Sequence, residues 1–146
     1  MVSPVFDPPN RLEIDIRIVG YSAAATARLQ FNGDTGTTAY AYSVSENFAA
    51  VTTAVSGVAA GWAVATTNQV VRSYITFHIR NVSGQVHGGW WVGSSGSEAA
   101  ATAPVIVCGS GIWTTTAQIT RVTLDVGAGG GNLNAGTSLD VYGIYP

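Results

Sequence analysis

The side chains able to do chemistry in this 146-residue chain are few, and their spacing rarely gathers them. His78 and His87 are the two histidines, and neither has an acidic neighbour in sequence. A zinc site needs about three or four converging ligands. The pair therefore reads as polar strand and loop residues, with a pH-sensitive interface contact as the functional alternative. A hydrolase of the Ser-His-Asp type presents its serine on a strained Gly-x-Ser-x-Gly elbow. No such elbow occurs, and Gly109-Ser110-Gly111 reads as a turn. Cys108 is the single cysteine, which excludes an intramolecular disulfide. Its flanks, Val105-Ile106-Val107 and Gly109, suit a small buried hydrophobe. A catalytic thiol is the sharper alternative, but nothing nearby in sequence would lower its pKa.

Three further groups invite a ligand. Asn32, Asp34 and Thr35 offer oxygens to calcium, which takes about six to eight. Asp34 is the only charge between Arg28 and Glu46, so a tight turn capped by Asn and Asp side chains is the better reading. Glu13 and Asp15 fall on one side of an extended segment together with Arg17. Paired carboxylates serve glycoside hydrolysis, but a Glu-Asp-Arg row on a strand reads as a solvated face or an intersubunit ion-pair set. Trp62, Trp90, Trp91 and Trp113 raise carbohydrate stacking. Adjacent residues of a strand point to opposite faces, so one of Trp90 and Trp91 belongs to the core and the other to an exposed or interfacial face. The glycines between Gly127 and Gly131 lead into Asn132-Leu133-Asn134 and a strand, without the helix N-terminus a phosphate loop requires.

Composition narrows the classes. Charged residues make up 10% of the chain and hydrophobic residues 47%, with a formal net charge of -2; ordinary globular chains carry about 25% charged residues. All basic residues are arginines (Arg11, Arg17, Arg28, Arg72, Arg80 and Arg121), scattered so that no basic patch for nucleic acid or an anionic membrane forms in sequence. Without lysine there is no Schiff-base chemistry. No basic stretch followed by an apolar run marks a secretory leader, and no stretch reaches the ~18 uninterrupted apolar residues of a membrane span, Ala49 to Ala65 coming closest but being interrupted by Thr52, Thr53, Ser56, Gly57 and Gly61. Sparse charge suits a chain that buries surface against other copies or another protein.

The elements that must position these residues are strands. Leu12, Ile14, Ile16 and Ile18 alternate with Glu13, Asp15 and Arg17, which places the aliphatics on one face of a sheet. Residues 27–31 repeat the pattern and end at Asn32-Gly33-Asp34-Thr35-Gly36, a turn signal. Val71 to Val82, Ile119 to Val126 and Leu139 to Ile144 are further strands. Trp90-Trp91-Val92 reads as a short strand between glycine turns, and Pro104 to Cys108 as one closed by Gly109-Ser110-Gly111. Residues 1–10, with Pro4, Phe6, Pro8 and Pro9, form an extended arm held by its own domain or by a neighbour. The expected fold is one all-β domain over residues 11–146: an antiparallel β-sandwich of the jelly-roll kind, with about eight strands.

Two segments carry a resemblance. One is Arg28-Leu29-Gln30-Phe31-Asn32-Gly33-Asp34-Thr35-Gly36, followed by Tyr40. The other is Ile119-Thr120-Arg121-Val122-Thr123-Leu124, a Gly/Asn loop, and Ala135-Gly136-Thr137-Ser138-Leu139-Asp140-Val141-Tyr142-Gly143-Ile144. The pairing resembles a group of tailed-phage virion proteins, and covers roughly the first third and last fifth of the chain; residues 44–116 contribute nothing to it. The resemblance implies a jelly roll, often trimeric, serving as a capsid decoration (cement) protein or as a tail-fibre or baseplate part. It implies a non-catalytic oligomer made in the host cytoplasm and placed on the virion surface, with itself and the major capsid protein or another virion protein as partners. No cofactor, metal, nucleic acid or membrane is expected, and carbohydrate only under the fibre alternative. Pro4, Phe6, Pro8, Pro9, Arg17, Trp90 and Trp91 are the candidate interface residues, and Asn32, Gly33, Asp34 and Gly36 the turn motif.

Overall fold

The computed structural model describes residues 1–20, 26–47, 52–54, 61–64, 72–96, 105–126 and 132–145. Ten strands lie among them: β1 (Arg11–Ile18), β2 (Ala27–Phe31), β3 (Tyr40–Glu46), β4 (Thr52–Ala54), β5 (Trp62–Ala63), β6 (Arg72–Arg80), β7 (His87–Gly96), β8 (Val105–Trp113), β9 (Val122–Val126) and β10 (Ser138–Ile144). Every pairing is antiparallel. One sheet has seven strands in the order β10-β1-β6-β7-β8-β3-β4, and the other has three, β5-β2-β9. The chain is thus the all-β sandwich its alternating strands imply, divided unevenly between a wide sheet and a narrow cover.

The core is made by the inward positions of both sheets. Leu12, Ile14, Ile16 and Ile18 of β1 face inward beside Ile75, Phe77 and Ile79 of β6, with Ile14 opposite Phe77 and Ile16 opposite Ile75. Leu29 and Phe31 of β2 lie opposite Leu124 and Val122 of β9 and close the other side. Full burial of such a side chain contributes about 1.5–3 kcal/mol.

Aromatic rings join the two layers. Trp91 packs between Phe77 (centroids 5.0 Å apart) and Trp62 (5.7 Å), and Trp62 meets Phe31 edge-on at 4.9 Å. Room for these rings comes from glycine. A Cβ on Gly111 would stand 2.6 Å from the Trp62 indole, a Cβ on Gly89 3.0 Å from it, and a Cβ on Gly109 would overlap the Trp91 indole. The glycines around Trp90 and after Cys108, expected as turns, therefore lie inside two long strands: β7 runs on to Gly96 and β8 to Trp113. Gly89, Gly109 and Gly111 are bare so that tryptophans can lie flat against the sheet.

The N-terminal segment is tied to its own domain. Ser3 N donates to Val122 O (2.9 Å), Phe6 N to Thr120 O (3.0 Å) and Leu124 N to Met1 O (2.8 Å), and Val2 bridges Thr123. The arm thus lines the edge of β9. Phe6 packs against the core and Pro9 is buried, while Pro8 is half-buried and Pro4 exposed. Asn81, fully buried, locks the arm's end. Its Nδ2 donates to Pro9 O (2.9 Å) and Ile119 O (3.1 Å), and its Oδ1 accepts from Ile119 N (2.7 Å).

Candidate functional site

Strand alternation gives the wide sheet an inner face in the core and an outer face in solvent. Tyr74 of β6, Trp90 and Val92 of β7, Ile106 and Ile112 of β8, and Tyr142 and Ile144 of β10 all stand on that outer face, each 44–52% exposed. Lateral register sets them in rows. One row runs Tyr142, Glu13, His78, Trp90, Ser110, Ser43 across six strands. The next runs Asp140, Asp15, Thr76, Val92, Cys108, Ser45.

Polar groups on the face are held by short-range contacts. His78 Nδ1 lies 3.4 Å from Glu13 Oε2. Thr76 Oγ1 donates to Asp15 Oδ1 at 2.6 Å. The Arg17 guanidinium rests 5.9 Å from the centroid of the Tyr74 ring, within cation-π range. Glu13, Asp15 and Arg17 thus form the outward row their spacing implies, each engaged with β6 rather than with one another.

Along one end of the face runs an open groove of about 1040 Å³. Its floor is Gly88 and Gly89; a Cβ on Gly88 would meet nothing within 4 Å. Arg11 and Arg80, directly opposite each other on β1 and β6, line it with Ile144 and Tyr145. Trp90 lines it too, its indole stacked on the His78 imidazole with centroids 4.1 Å apart and planes at 27°. One face of Trp90 is thereby covered, and its half-exposure belongs to the other face and the ring edge.

The other sequence candidates fall elsewhere. Trp91 is core, Trp90 surface, dividing as strand alternation requires. Trp62 and Trp113 are also core. Asn32 and Gly33 adopt left-handed backbone (φ 52° and 74°), the geometry that an Asn-Gly step favours. Asn32 Oδ1 accepts from Thr120 N (2.8 Å) and Arg121 N (3.1 Å), and its Nδ2 donates to Gln118 O (2.8 Å). Asp34 accepts from Gly36 N through Oδ1 (2.8 Å) and from Trp113 Nε1 through Oδ2 (2.9 Å). The turn's side-chain oxygens are thus engaged, that of Asn32 with the segment before β9 and those of Asp34 with its own turn and with β8. Tyr40 completes this knot, donating to Asp34 O (3.0 Å) and accepting from Phe31 N (2.9 Å). Burial pushes its phenol well above the ordinary tyrosine range, the Phe31 amide opposes that shift, and the Asp34 charge adds to it. Burial also raises Tyr42, against the opposing charge of Arg28.

Two expectations are corrected. His87 is not a loop residue: it opens β7, is fully buried, and stacks on Trp113 at 5.2 Å. Its Nδ1 lies 3.2 Å from Arg80 O and its Nε2 2.9 Å from Ala117 O. Cys108 is not a core residue: it points outward from β8, opposite Val92 and Ser45, and is half-buried. Arg11, Arg80 and Tyr145 were not singled out as site residues in sequence. Each is an isolated outward residue there, and only the β10-β1-β6-β7 order brings them beside Trp90.

Comparison with protein-family models, with curated proteins and with solved structures finds no match to this chain in any of the three.

Proposed function

We propose that this chain is a non-catalytic structural protein of a tailed-phage virion: a capsid decoration (cement) protein that binds the head shell, as a homotrimer, and stabilises it. The observation that carries the reading is the outer face of the wide sheet. Seven large hydrophobic side chains stand half-exposed on one broad surface in a chain with few charges. Exposed apolar surface on this scale, mixed with aromatics and arginine, is the composition of a protein-binding face. The two segments that carry the phage resemblance meet in the fold, residues 29–31 of β2 pairing with residues 122–124 of β9. Binding to the assembled shell and not to its dissociated subunits stabilises the shell by mass action.

The test is occupancy. Recombinant protein is added to heads of the encoding phage that lack it, and bound protein is measured by mass spectrometry alongside light scattering of the free protein. The reading expects a trimer in solution, saturable binding to heads and heads that withstand higher temperature. Val92→Glu with Ile106→Glu should abolish binding without lowering Tm. Absence of the protein from purified virions would overturn the reading.

A second reading, a carbohydrate-binding tail-fibre or baseplate module, draws on one observation: Trp90 and two arginines meet at the groove.

A further inference from the structure

The groove on the outer face has features that neither folding nor a flat apolar contact requires. Arg11 and Arg80 are directly opposed across β1 and β6. Like charges in that position destabilise a sheet. Among the described residues neither guanidinium has an acidic partner within 4 Å, and Glu13, the nearest acid on β1, is turned to His78. Beside them the sheet leaves a gap at Gly88, where any other residue would fill the groove with a side chain. The gap is flanked by Trp90, whose position is fixed by the stack on His78.

We infer that this groove binds a saccharide carrying an anionic substituent, with a carboxylate as the simplest case. The inference builds on the outer face being a recognition surface, and it specifies the ligand of one end of that face. The chemistry divides cleanly among the residues. The two guanidiniums supply donor forks that match a carboxylate, sulfate or phosphate group, and binding one relieves their mutual repulsion. The uncovered face of Trp90 turns to the β8 side, away from the arginines, so one pyranose unit lays its C–H face there, its partially positive hydrogens on the negative face of the indole, while a neighbouring unit carries the anionic group to the arginines. The gap at Gly88 lets the ring approach the backbone. Tyr145, 62% exposed with its hydroxyl donating to Asp7 O at 3.2 Å, forms the far wall. A neutral sugar would use the tryptophan and leave the arginines opposed. A free anion would use the arginines and leave the tryptophan bare.

The experiment is isothermal titration of the whole chain with three probes: trigalacturonate, its fully methyl-esterified neutral counterpart, and sodium sulfate. Trigalacturonate should bind saturably, at least about tenfold more tightly than the ester, since charge-assisted hydrogen bonds are each worth a factor of this order. Its affinity should fall as salt rises. Arg11→Gln with Arg80→Gln should remove the preference for the acid over the ester. Trp90→Ala should weaken both sugars about tenfold or less and leave sulfate unchanged. Equal binding of acid and ester, sulfate binding as tight as trigalacturonate, or no binding of trigalacturonate would each overturn the inference. Head occupancy of the wild-type protein, measured in parallel, separates the two ideas. Normal occupancy with no sugar binding by the wild type leaves the virion reading standing and removes this one; sugar binding without any head occupancy does the reverse.

Discussion

Replacing Gly109 by alanine tests whether Gly89, Gly109 and Gly111 exist to seat tryptophans. The added methyl group would enter the space of the Trp91 indole. That ring is 1% exposed and is held by Phe77 at 5.0 Å and Trp62 at 5.7 Å, so it has no open side into which to move. Overpacking of this kind costs about 1–3 kcal/mol. For a domain of this size each kcal/mol is worth about 2–4 °C in Tm, so the melting point should fall by roughly 2–12 °C. Gly88→Ala is the matched control on β7. Its methyl group would meet nothing within 4 Å, and losing backbone freedom in the unfolded chain should stabilise the protein by about 0.4–1 kcal/mol. Thermal unfolding followed by near-ultraviolet circular dichroism reports both Tm and the tryptophan environment. If Gly109→Ala melts with the wild type, or with Gly88→Ala, the tryptophan-on-glycine account of these strands is wrong.

Two other substitutions probe the frame around the site. Tyr40→Phe strips the buried Phe31 amide of its acceptor and should cost about 1–3 kcal/mol in urea unfolding. Because the folded state holds the Tyr40 phenol above its ordinary value of 10.0, the unfolded chain ionises first as pH rises. Wild-type stability should therefore be complete below about pH 10 and decline above it, by up to ~1.4 kcal/mol per pH unit from this group. Tyr40→Phe should lose that component of the decline, and identical alkaline slopes would refute the assignment. Phe6→Ala should lower stability by about 1–2 kcal/mol, as expected for a partly buried phenylalanine of the protein's own core. An unchanged Tm together with weakened head binding would instead return Phe6 to an intersubunit role.

What the sequence made legible follows from how local each signal is. The alternation in β1 and β6 is a property of successive residues, so both strands and their inward faces were readable directly. The Asn32-Gly33 turn was readable for the same reason, since its positive φ angles are a local demand. The glycine-rich strands were not. Gly89, Gly109 and Gly111 look like turn formers because the tryptophans that require them, Trp62 and Trp91, lie far away in sequence or on a neighbouring strand. His87 was misplaced by the same logic, its surroundings being glycine in sequence but Trp113 and two carbonyls in space. The arm was expected to find a holder, and its holder, β9, comes more than a hundred residues later. The groove was the least legible feature of all, because it depends on the lateral register of four strands at once.

The charges of the outer face support the proposed reading that a partner covers it. Cross-strand pairing usually sets opposite charges against each other. Here Arg11 faces Arg80, and Asp15 faces Asp140. A sequence arranged for stability alone would gain by exchanging one member of each pair. Asp15 has partial relief from Thr76; the arginines have none among the described residues. Half-exposed Trp90, Val92, Ile106 and Ile112 impose a second cost in the same region, since each leaves apolar surface in water. On the proposed reading, a partner that is apolar across β7 and β8 and anionic at the Arg11 and Arg80 end offsets the apolar exposure and the arginine pair.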